Sequence, residues 1–292
     1  MRDQYRDAMR KHDFEYALYE PEPFERLQPG TLGYFDADSR WHPLLNLTDA
    51  AAVAALSCTP FVAPHLRAPD SRHWDPLISN DVDAHSVNAG AGVDAASFGL
   101  PASVGVVTEY STSSNFGAVL MCDGDVVVEG YDVRGPFERW VRENRKELAK
   151  VDELRKHGVV ISTWTFSSES VHLNVWSSGE NRVRVGIEAG ASGVAKGDAG
   201  VEWVRGRSGS SWTDWTDGKR VVFFTGVKCV YNWLGRMSTE PEANWRGGEK
   251  FMIWDPDSQD AYEGEVDYFG TDLTEIENES SDDEDEEEDD DE

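Results

Sequence analysis

Hydrophobic and polar residues alternate along residues 158–176, GVVISTWTFSSESVHLNVW, but the alternation is interrupted. It continues to Phe166, stops in the polar stretch 167–170 and resumes at Val171. Alternation with a period of two is typical of strands, so the pattern predicts two strands that form a hairpin. One face of this hairpin is apolar enough for a core, whereas the other face is only half polar. An ordinary solvated sheet face would be more clearly polar.

Further strands are predicted along the chain. Residues 31–47 form two strands joined by a turn at Asp36–Ser39. Residues 82–131 are rich in Gly, Ala, Ser and Val and alternate weakly, which favours loosely packed strands or an ordinary sandwich pair with poor signals. Residues 181–190 alternate again, and the strongly apolar run 219–235 is expected to close the domain after a Gly- and Ser-rich stretch.

Three helices are predicted. Arginines at every fourth position indicate a helix over residues 2–18. Thr48 or Asp49 is expected to cap a short alanine-rich helix, and a longer helix runs from Pro136 to the residue before Gly158. Basic side chains mark the outer faces of the first and last helices, at Arg2, Arg6, Arg10, Lys11, Arg139, Arg142, Arg145 and Lys146. Pattern alone favours solvated helix faces for these residues.

Charge is distributed unevenly along the 292 residues, whose formal net charge is −29. Residues 238–292 contain 24 Asp and Glu against two basic residues, whereas residues 1–237 contain 32 against 25. The last stretch, 281–292, cannot bury a core and is predicted to be a disordered acidic tail. Such a tail either keeps the chain in solution or is a charge partner for a basic surface.

No pattern of catalytic or metal-binding residues stands out. The three cysteines are far apart, and no motif for a serine nucleophile, a zinc protease or a phosphate-binding loop occurs. A single His172 in a strand is interpreted as a hydrogen-bonded side chain and not as a ligand. With no signal peptide and no apolar stretch of membrane-spanning length, we expect a cytoplasmic non-enzyme without cofactor, metal or nucleic-acid partner.

The order of these parts resembles that of a known family. A strand pair ending in LNLTD precedes a small helix, and a helix ending in KHG precedes VVISTWTFSS and, later, the strand KRVVFFTGVKCVYNW. Over about residues 1–236 this order is similar to the pore-forming N-terminal domain of gasdermins, especially the fungal gasdermin-like proteins of allorecognition cell death. The resemblance implies an α+β fold, a twisted antiparallel sheet with flanking helices and two hairpin regions able to refold into a membrane β-barrel.

The same resemblance implies a pore-forming effector that binds anionic membrane lipid, assembles with copies of itself and permeabilises the plasma membrane. Residues 82–131 and 159–188 are then the membrane hairpins, because a membrane strand needs only ~9–11 alternating residues. The expected membrane-facing positions are Val106, Val119, Val127, Ile161, Val171, Leu173, Val175, Val183 and Val185. The eight basic residues above are the expected lipid contacts.

Three regions follow from this interpretation. Residues 1–237 are the expected pore-forming domain, 238–280 a short inhibitory segment and 281–292 the acidic tail. An activating protease is expected to cut in the region marked by Met237, Lys250 and Phe251. The apolar patch at 251–254 is expected to cover an oligomerisation surface.

A second class of function stays open. The chain contains 11 tryptophans, and those in GVEWVRGRSGSSWTDW would suit a lectin-like β-rich binding module, although tryptophans more often fill cores. The acidic tail would suit a chaperone of basic proteins. Leakage of anionic liposomes separates these functions from pore formation, because a binding module leaves vesicles intact.

Overall fold

The computed structural model describes residues 1–12, 14, 16–88, 100, 104–177, 183–188, 203–205, 212–233, 249–255 and 260–269. Within these residues the chain is an α+β protein, built of three antiparallel sheets with four short α-helices. The helices are α1 (Arg2–Ala8), α2 (Ala50–Ala55), α3 (Gly135–Ala149) and α4 (Asp152–His157). These parts confirm the α+β class expected from the sequence.

The largest sheet has nine strands. Its strands are β1 (Tyr16–Pro23), β2 (Thr31–Phe35), β3 (Trp41–Asn46), β4 (Asp70–His73), β9 (Asp125–Gly130), β10 (Val159–Ser168), β15 (Arg220–Trp233), β16 (Glu249–Asp255) and β17 (Asp260–Phe269). The main path through the sheet is β16-β17-β15-β10-β2-β3, with β1 also paired to β15, β9 to β10 and β4 to β9. The C-terminal strands are therefore part of the same sheet as the centre of the fold.

Two smaller sheets have four strands each. One has the order β14-β11-β8-β5, with β5 (Leu77–Ile78), β8 (Gly117–Cys122), β11 (Val171–Trp176) and β14 (Thr213–Trp215). The other has the order β13-β12-β7-β6, with β6 (Val82–Asn88), β7 (Val104–Thr112), β12 (Val183–Glu188) and β13 (Trp203–Arg205). We call this last sheet the two-hairpin sheet, because β6 pairs with β7 and β12 with β13.

Local sequence rules account for several elements. Asp49 caps α2 by accepting hydrogen bonds from the backbone of Ala51 and Ala52, which confirms the predicted cap. The turn between β2 and β3 also lies at the predicted place, with Ser39 at φ +57°. Gly158 ends α4 at φ +84°, and a side chain there would meet the carbonyl oxygen of Cys229. Only glycine fits that position without strain.

Three predictions about elements are wrong. The helix predicted over residues 2–18 ends at Ala8, because Tyr16–Pro23 pairs with β15 as a strand and buries Ala17 and Leu18. The helix predicted from Pro136 to Gly158 is two helices, separated at Lys150 and Val151. The predicted hairpin in 158–176 consists of two strands that do not pair with each other.

These two strands, β10 and β11, belong to different sheets. β10 pairs with β15, β2 and β9, whereas β11 pairs with β8 and β14. The chain turns a corner at Glu169–Ser170, opposite a second corner at Asp123–Gly124, and Asp123 N donates to Ser170 O across 3.0 Å. Burial explains why neither face of β10 is clearly polar in the sequence. Every residue of β10 is buried, so both faces of the strand are covered.

The core is divided into several clusters that pack against the large sheet. Helices α3 and α4 cover one cluster, in which Phe137, Trp140 and Leu154 pack against Ile161 and Val227. Helix α1 lies on another, in which Tyr5 and Met9 pack against residues of β8, β11 and β15. The two helices that carry the predicted basic faces are thus anchored in different clusters.

Candidate functional site

The two-hairpin sheet is built from hairpins that lie side by side. Its central strands β7 and β12 pair in an antiparallel register that places Val183 opposite Tyr110 and Val185 opposite Thr108. β6 continues the sheet beyond β7, and β13 continues it beyond β12. Except for Leu100, the residues between the strands of each hairpin lie outside the described part of the chain.

The two faces of this sheet differ in chemistry. On one face Tyr110, Val183 and Val185 are buried in a cluster with Val119 and other residues of the adjoining sheet. Because neighbouring residues of a strand point to opposite faces, Glu109 and Arg184 lie on the other face. They form an ion pair with 2.9 Å between Arg184 Nε and Glu109 Oε2. At this end the sheet is therefore amphipathic, whereas further along β7 the buried Val107 lies on the same face as Glu109.

Polar groups on the apolar face are paired with each other. The hydroxyl oxygens of Ser86 and Thr108 lie 2.8 Å apart, on directly opposite positions of β6 and β7. Thr108 is buried and Ser86 is exposed, so the pairing removes the cost of leaving the buried Thr108 hydroxyl without a partner. On the charged face, Asp83 and His85 of β6 are exposed.

The two-hairpin sheet shares one continuous register with the sheet next to it. β8 and β11 pair with Gly117 opposite Trp176, and β7 and β12 resume with Tyr110 opposite Val183. Six residues separate these pairs on each of the two chain segments, 111–116 and 177–182. Because the two lengths are equal, joining the two ladders into one long pair of strands needs no shift of register.

The structure brings together only some of the predicted membrane-facing residues. Val106, Val183 and Val185 lie in the two-hairpin sheet. Val119, Val171, Leu173 and Val175 lie in the adjoining sheet on β8 and β11. Val127 and Ile161 lie in the nine-stranded sheet, and Ile161 is fully buried under α3.

The boundaries of the second hairpin also differ from the sequence prediction. The predicted region 159–188 contains β10, β11 and β12, of which only β12 belongs to a two-stranded hairpin. Its partner, β13, lies at 203–205 beyond the predicted region. The glycine-rich composition around β13 hides this strand from pattern analysis.

A buried histidine joins three segments where the sheets meet. His172 on β11 has both ring nitrogens 2.7 Å from carboxylate oxygens, Nδ1 from Asp214 Oδ1 and Nε2 from Asp123 Oδ2. Ionised carboxylates only accept hydrogen bonds, so this geometry suits a ring that donates from both nitrogens. The contacts confirm the interpretation of His172 as a hydrogen-bonded side chain, and they tie β11 to β14 and to the β8–β9 corner.

This cluster resembles a catalytic triad in part. Ser170 Oγ lies 3.0 Å from His172 Nε2, and Asp214 holds the opposite nitrogen. A serine hydroxyl is activated only when the nearest histidine nitrogen is free to accept its proton. Here Asp123 Oδ2 lies closer to that nitrogen than Ser170 Oγ does, 2.7 Å against 3.0 Å, so we interpret the arrangement as a structural clamp.

Removal of the clamp should destabilise the fold. We expect His172→Gln to lower the free energy of unfolding by about 1–3 kcal/mol, because Asp123 and Asp214 lose the buried hydrogen-bond partner that joins them. Urea denaturation measures the change, and His85→Gln on exposed β6 is the control. Nitrogen NMR should also show both ring nitrogens of His172 protonated. Equal stability of the two variants would contradict the clamp.

The basic residues near the N-terminus are paired with acids. Arg2 lies 2.7 Å from Glu20, Arg6 3.2 Å from Asp3, and Arg10 3.8 Å from Asp7. Lys11 donates to the carbonyl oxygen of Ser79. Burial lowers the pKa of Lys11. The basic stripe expected from the sequence is therefore largely compensated by acids of the same helix and of β1.

Helix α3 presents its basic residues in two groups. Arg142 pairs with Glu138, and Arg145 donates to the carbonyl oxygen of Arg142. Arg139 and Lys146 are exposed and form no ion pair with any described residue. These two side chains are thus more available to an anionic partner than the N-terminal arginines.

The C-terminal region contributes an acidic strand to the large sheet. β17, DAYEGEVDYF, pairs with β15 from Gly226 opposite Phe269 to Trp233 opposite Tyr262. Asp267 lies opposite Lys228, and α3 lies against β17. Lys250 and Phe251, predicted to mark the cleavage region, lie in β16, which pairs with β17 and not with β15. Met237 and the acidic tail 281–292 lie outside the described residues.

Two tryptophans proposed for sugar stacking pack inward. Trp215 packs against the cluster under α1, and Trp212 against the cluster of the two-hairpin sheet. In the ranges that the structure describes, no group of His, Cys, Asp and Glu residues is arranged to hold a metal ion. No helix in those same ranges has the length and apolar character needed to cross a bilayer.

Comparison with known proteins gives little direct similarity. No family model matches the sequence, and no curated protein matches it. A solved structure, that of a bacterial gasdermin from Bradyrhizobium tropiciagri, aligns with 76% of this chain and 85% of its own chain. The identity is 10% and the TM-score 0.30. A TM-score this low does not establish a common fold, so the architecture rests on the strand pairings described above.

Proposed function

We propose that this protein is a pore-forming effector of regulated cell death. In this proposal it is a non-enzyme that stays in the cytoplasm until it is cleaved, then binds anionic lipid of the plasma membrane, assembles with copies of itself and permeabilises the bilayer. The observation that carries the proposal is the amphipathic two-hairpin sheet, whose central ladder is in register with the adjoining sheet.

The register provides a simple route to longer strands. A membrane strand needs ~9–11 residues with one face toward lipid. β7 has nine residues and β12 has six as separate strands. Pairing of 111–116 with 177–182 would extend the ladder from Val106 to Cys122 on one segment and from Val171 to Ile187 on the other. Such strands are long enough to cross a bilayer.

We propose that the C-terminal strands hold the protein inactive. β17 pairs with eight residues of β15, so its removal would open that edge of the sheet. An unpaired strand edge is a template for association with another chain. In this proposal the pairing of β17 with β15 inhibits the protein. It replaces the expectation that the apolar patch at 251–254 makes the inhibitory contact. An activating protease would then cut between 237 and 248, before β16.

Lipid binding is assigned mainly to helix α3. Arg139 and Lys146 are the available cations there, and Arg142 and Arg145 could join them once the acidic β17 has left. Each basic residue near an anionic membrane surface contributes ~1 kcal/mol to binding. Arg2, Arg6, Arg10 and Lys11 would contribute less, because they are already held by partners of the protein.

Dye release from liposomes tests the proposed function. We expect full-length protein carrying a site for an added protease within 238–248 to leave anionic vesicles intact, and to empty them after cleavage. Electron microscopy should show rings on those vesicles. Vesicles of neutral lipid are the control and should leak little.

Cleaved, folded protein that leaves anionic vesicles intact would overturn the proposal. That outcome would favour the β-rich binding module. Dye release before cleavage at the rate seen after it would instead keep pore formation and remove the inhibitory role of the C-terminal strands.

A further inference from the structure

Asn174 on β11 is a fully buried amide without a hydrogen-bond partner. Its exposed fraction is 0%, and neither Oδ1 nor Nδ2 forms a hydrogen bond with any described residue. An amide that leaves water without gaining a partner is unfavourable, and such buried polar groups are rare in folded proteins. His172, two residues earlier on the same strand, has a carboxylate partner for each ring nitrogen. Asn174 therefore lowers the stability of the fold that buries it.

The amide is buried where the two-hairpin sheet packs on the adjoining sheet. Asn174 lies opposite Val119 on β8 and two residues before Trp176, so these three side chains point to the same face. Val119 and Trp176 belong to the cluster that also contains Tyr110 and Val183 of the two-hairpin sheet. The packing of the two sheets thus keeps water away from Asn174.

This packing brings together faces that the extended ladder proposed above would separate. Nine residues separate Tyr110 from Val119 on one segment, and nine separate Asn174 from Val183 on the other. An odd separation places two residues of an extended strand on opposite faces. In the extended ladder, Tyr110 and Val183 would therefore lie on the face opposite Asn174.

One face of the extended ladder would be apolar in both of its present parts. Tyr110 and Val183 share this face, by the same alternation, with residues of β8 and β11 that now pack in the cluster under α1. These residues are Ala118, Leu120, Cys122, Val171 and Leu173. A face of this kind suits the lipid side of a membrane strand.

The opposite face would carry the polar residues. Asn174 and His172 share it with the ion pair between Glu109 and Arg184. Apolar residues lie on this face too, at Val107, Val119, Met121 and Trp176. A face with charged and amide groups suits the water side of a membrane strand, where the Asn174 amide gains solvent as a hydrogen-bond partner.

We propose that Asn174 promotes the separation of the two-hairpin sheet from the adjoining sheet. The inference rests on the proposed pore formation and names the residue that biases its conformational step. The cost of the unpaired amide is present only while the sheets are packed, so Asn174 raises the fraction of chains in which they have separated. Cleavage and Asn174 then act on different steps: cleavage frees the edge of β15, and Asn174 favours the later opening of the two sheets.

Labelling of a buried thiol measures this opening in the intact chain without a membrane. Val183→Cys places a thiol in the cluster between the sheets, where a water-soluble reagent reaches it only when they separate. Mass spectrometry distinguishes it from the three native cysteines, all of which are buried. Leucine has the shape of asparagine without its polar atoms. We therefore expect Asn174→Leu to slow the labelling about tenfold and to raise the melting temperature by about 3 °C.

Thr165→Val is the matched control for dye release. Thr165 on β10 is also fully buried, and its Oγ1 also lacks a partner in the described part of the chain. The extended ladder does not contain β10, so this variant should gain stability and label at the parent rate. After cleavage, we expect anionic vesicles to lose dye at least tenfold more slowly with Asn174→Leu than with the parent or with Thr165→Val.

Several results would overturn the role of Asn174. One is labelling or dye release at the parent rate in Asn174→Leu, and another is equal slowing in Thr165→Val, which would reflect general stability. If leucine lowers the melting temperature, Asn174→Val tests a smaller apolar side chain, and a loss of stability in both variants shows that the amide is not a cost. Cleaved parent protein that releases no dye contradicts the proposed pore formation instead, and the labelling rates still test the opening.

Discussion

A disulfide between β15 and β17 should keep the protein inactive even after its chain is cut. Val266 lies directly opposite Cys229 in the antiparallel pair, so Val266→Cys places two thiols at adjacent positions. Opposite residues in such a pair have Cα atoms ~4.5–5.5 Å apart, within the range that a disulfide spans. After oxidation and cleavage within 238–248, we expect dye release from anionic vesicles close to the uncleaved background. Reduction should then restore full release.

The control variant differs by one position along β17. Glu265 lies opposite Val230, so Glu265→Cys should not crosslink to Cys229 and should be activated by cleavage as the parent is. Burial raises the pKa of the Cys229 thiol to about 12, so little reactive thiolate is present near neutral pH and the oxidation needs a long incubation. If the oxidised, cleaved Val266→Cys protein releases dye as fast as the reduced one, β17 is not the restraint. If the reduced protein is inactive too, the proposed function itself fails.

A positive charge on the apolar face of β7 should abolish dye release while leaving the soluble fold intact. Val106 is half-buried, unlike Val171 and Val185, whose replacement by a charged residue would disrupt buried clusters. An arginine on the lipid face of a membrane strand costs ~2–4 kcal/mol near the bilayer centre, and this cost recurs in every subunit of an assembly. We therefore expect Val106→Arg to be cleaved normally and to release at least tenfold less dye.

Ser111→Arg is the matched control on the same strand. Positions 106 and 111 lie on opposite faces of β7, because they are five residues apart. The second variant adds its charge to the face that already carries Glu109 and Arg184, and it should keep most of the activity. Circular dichroism and melting temperature establish that both variants are folded. Equal dye release from the two variants would show that the apolar face of β7 does not enter lipid.

Local chemistry made part of the fold predictable. The Asp49 cap and the turn at Asp36–Ser39 depend on residues a few positions apart, and both were found where the sequence indicated. The pairing of β10 and β11 could not be found in this way. Adjacent strands with a short polar connection suggest a hairpin, whereas each of these strands finds its partners more than about 30 residues away.

The candidate site was predictable to a similar extent. Asp3 and Asp7 are near enough in sequence to show that the first basic helix would be compensated, but Glu20 reaches Arg2 only because β1 runs beside α1. The equal spacing of 111–116 and 177–182 likewise becomes visible only when the register is known.

The pairing of β17 with β15 has a consequence for spontaneous activation. Local detachment of the β16–β17 pair from β15 is an equilibrium, and an opening free energy of about 4 kcal/mol leaves roughly one chain in a thousand open. If an assembly needs several open chains at once, its frequency falls as the fraction of open chains raised to the power of the number of subunits. Weak docking of β17 then suffices to keep uncleaved protein inactive. Cleavage opens each chain separately, so an assembly no longer depends on several chains being open by chance at the same time.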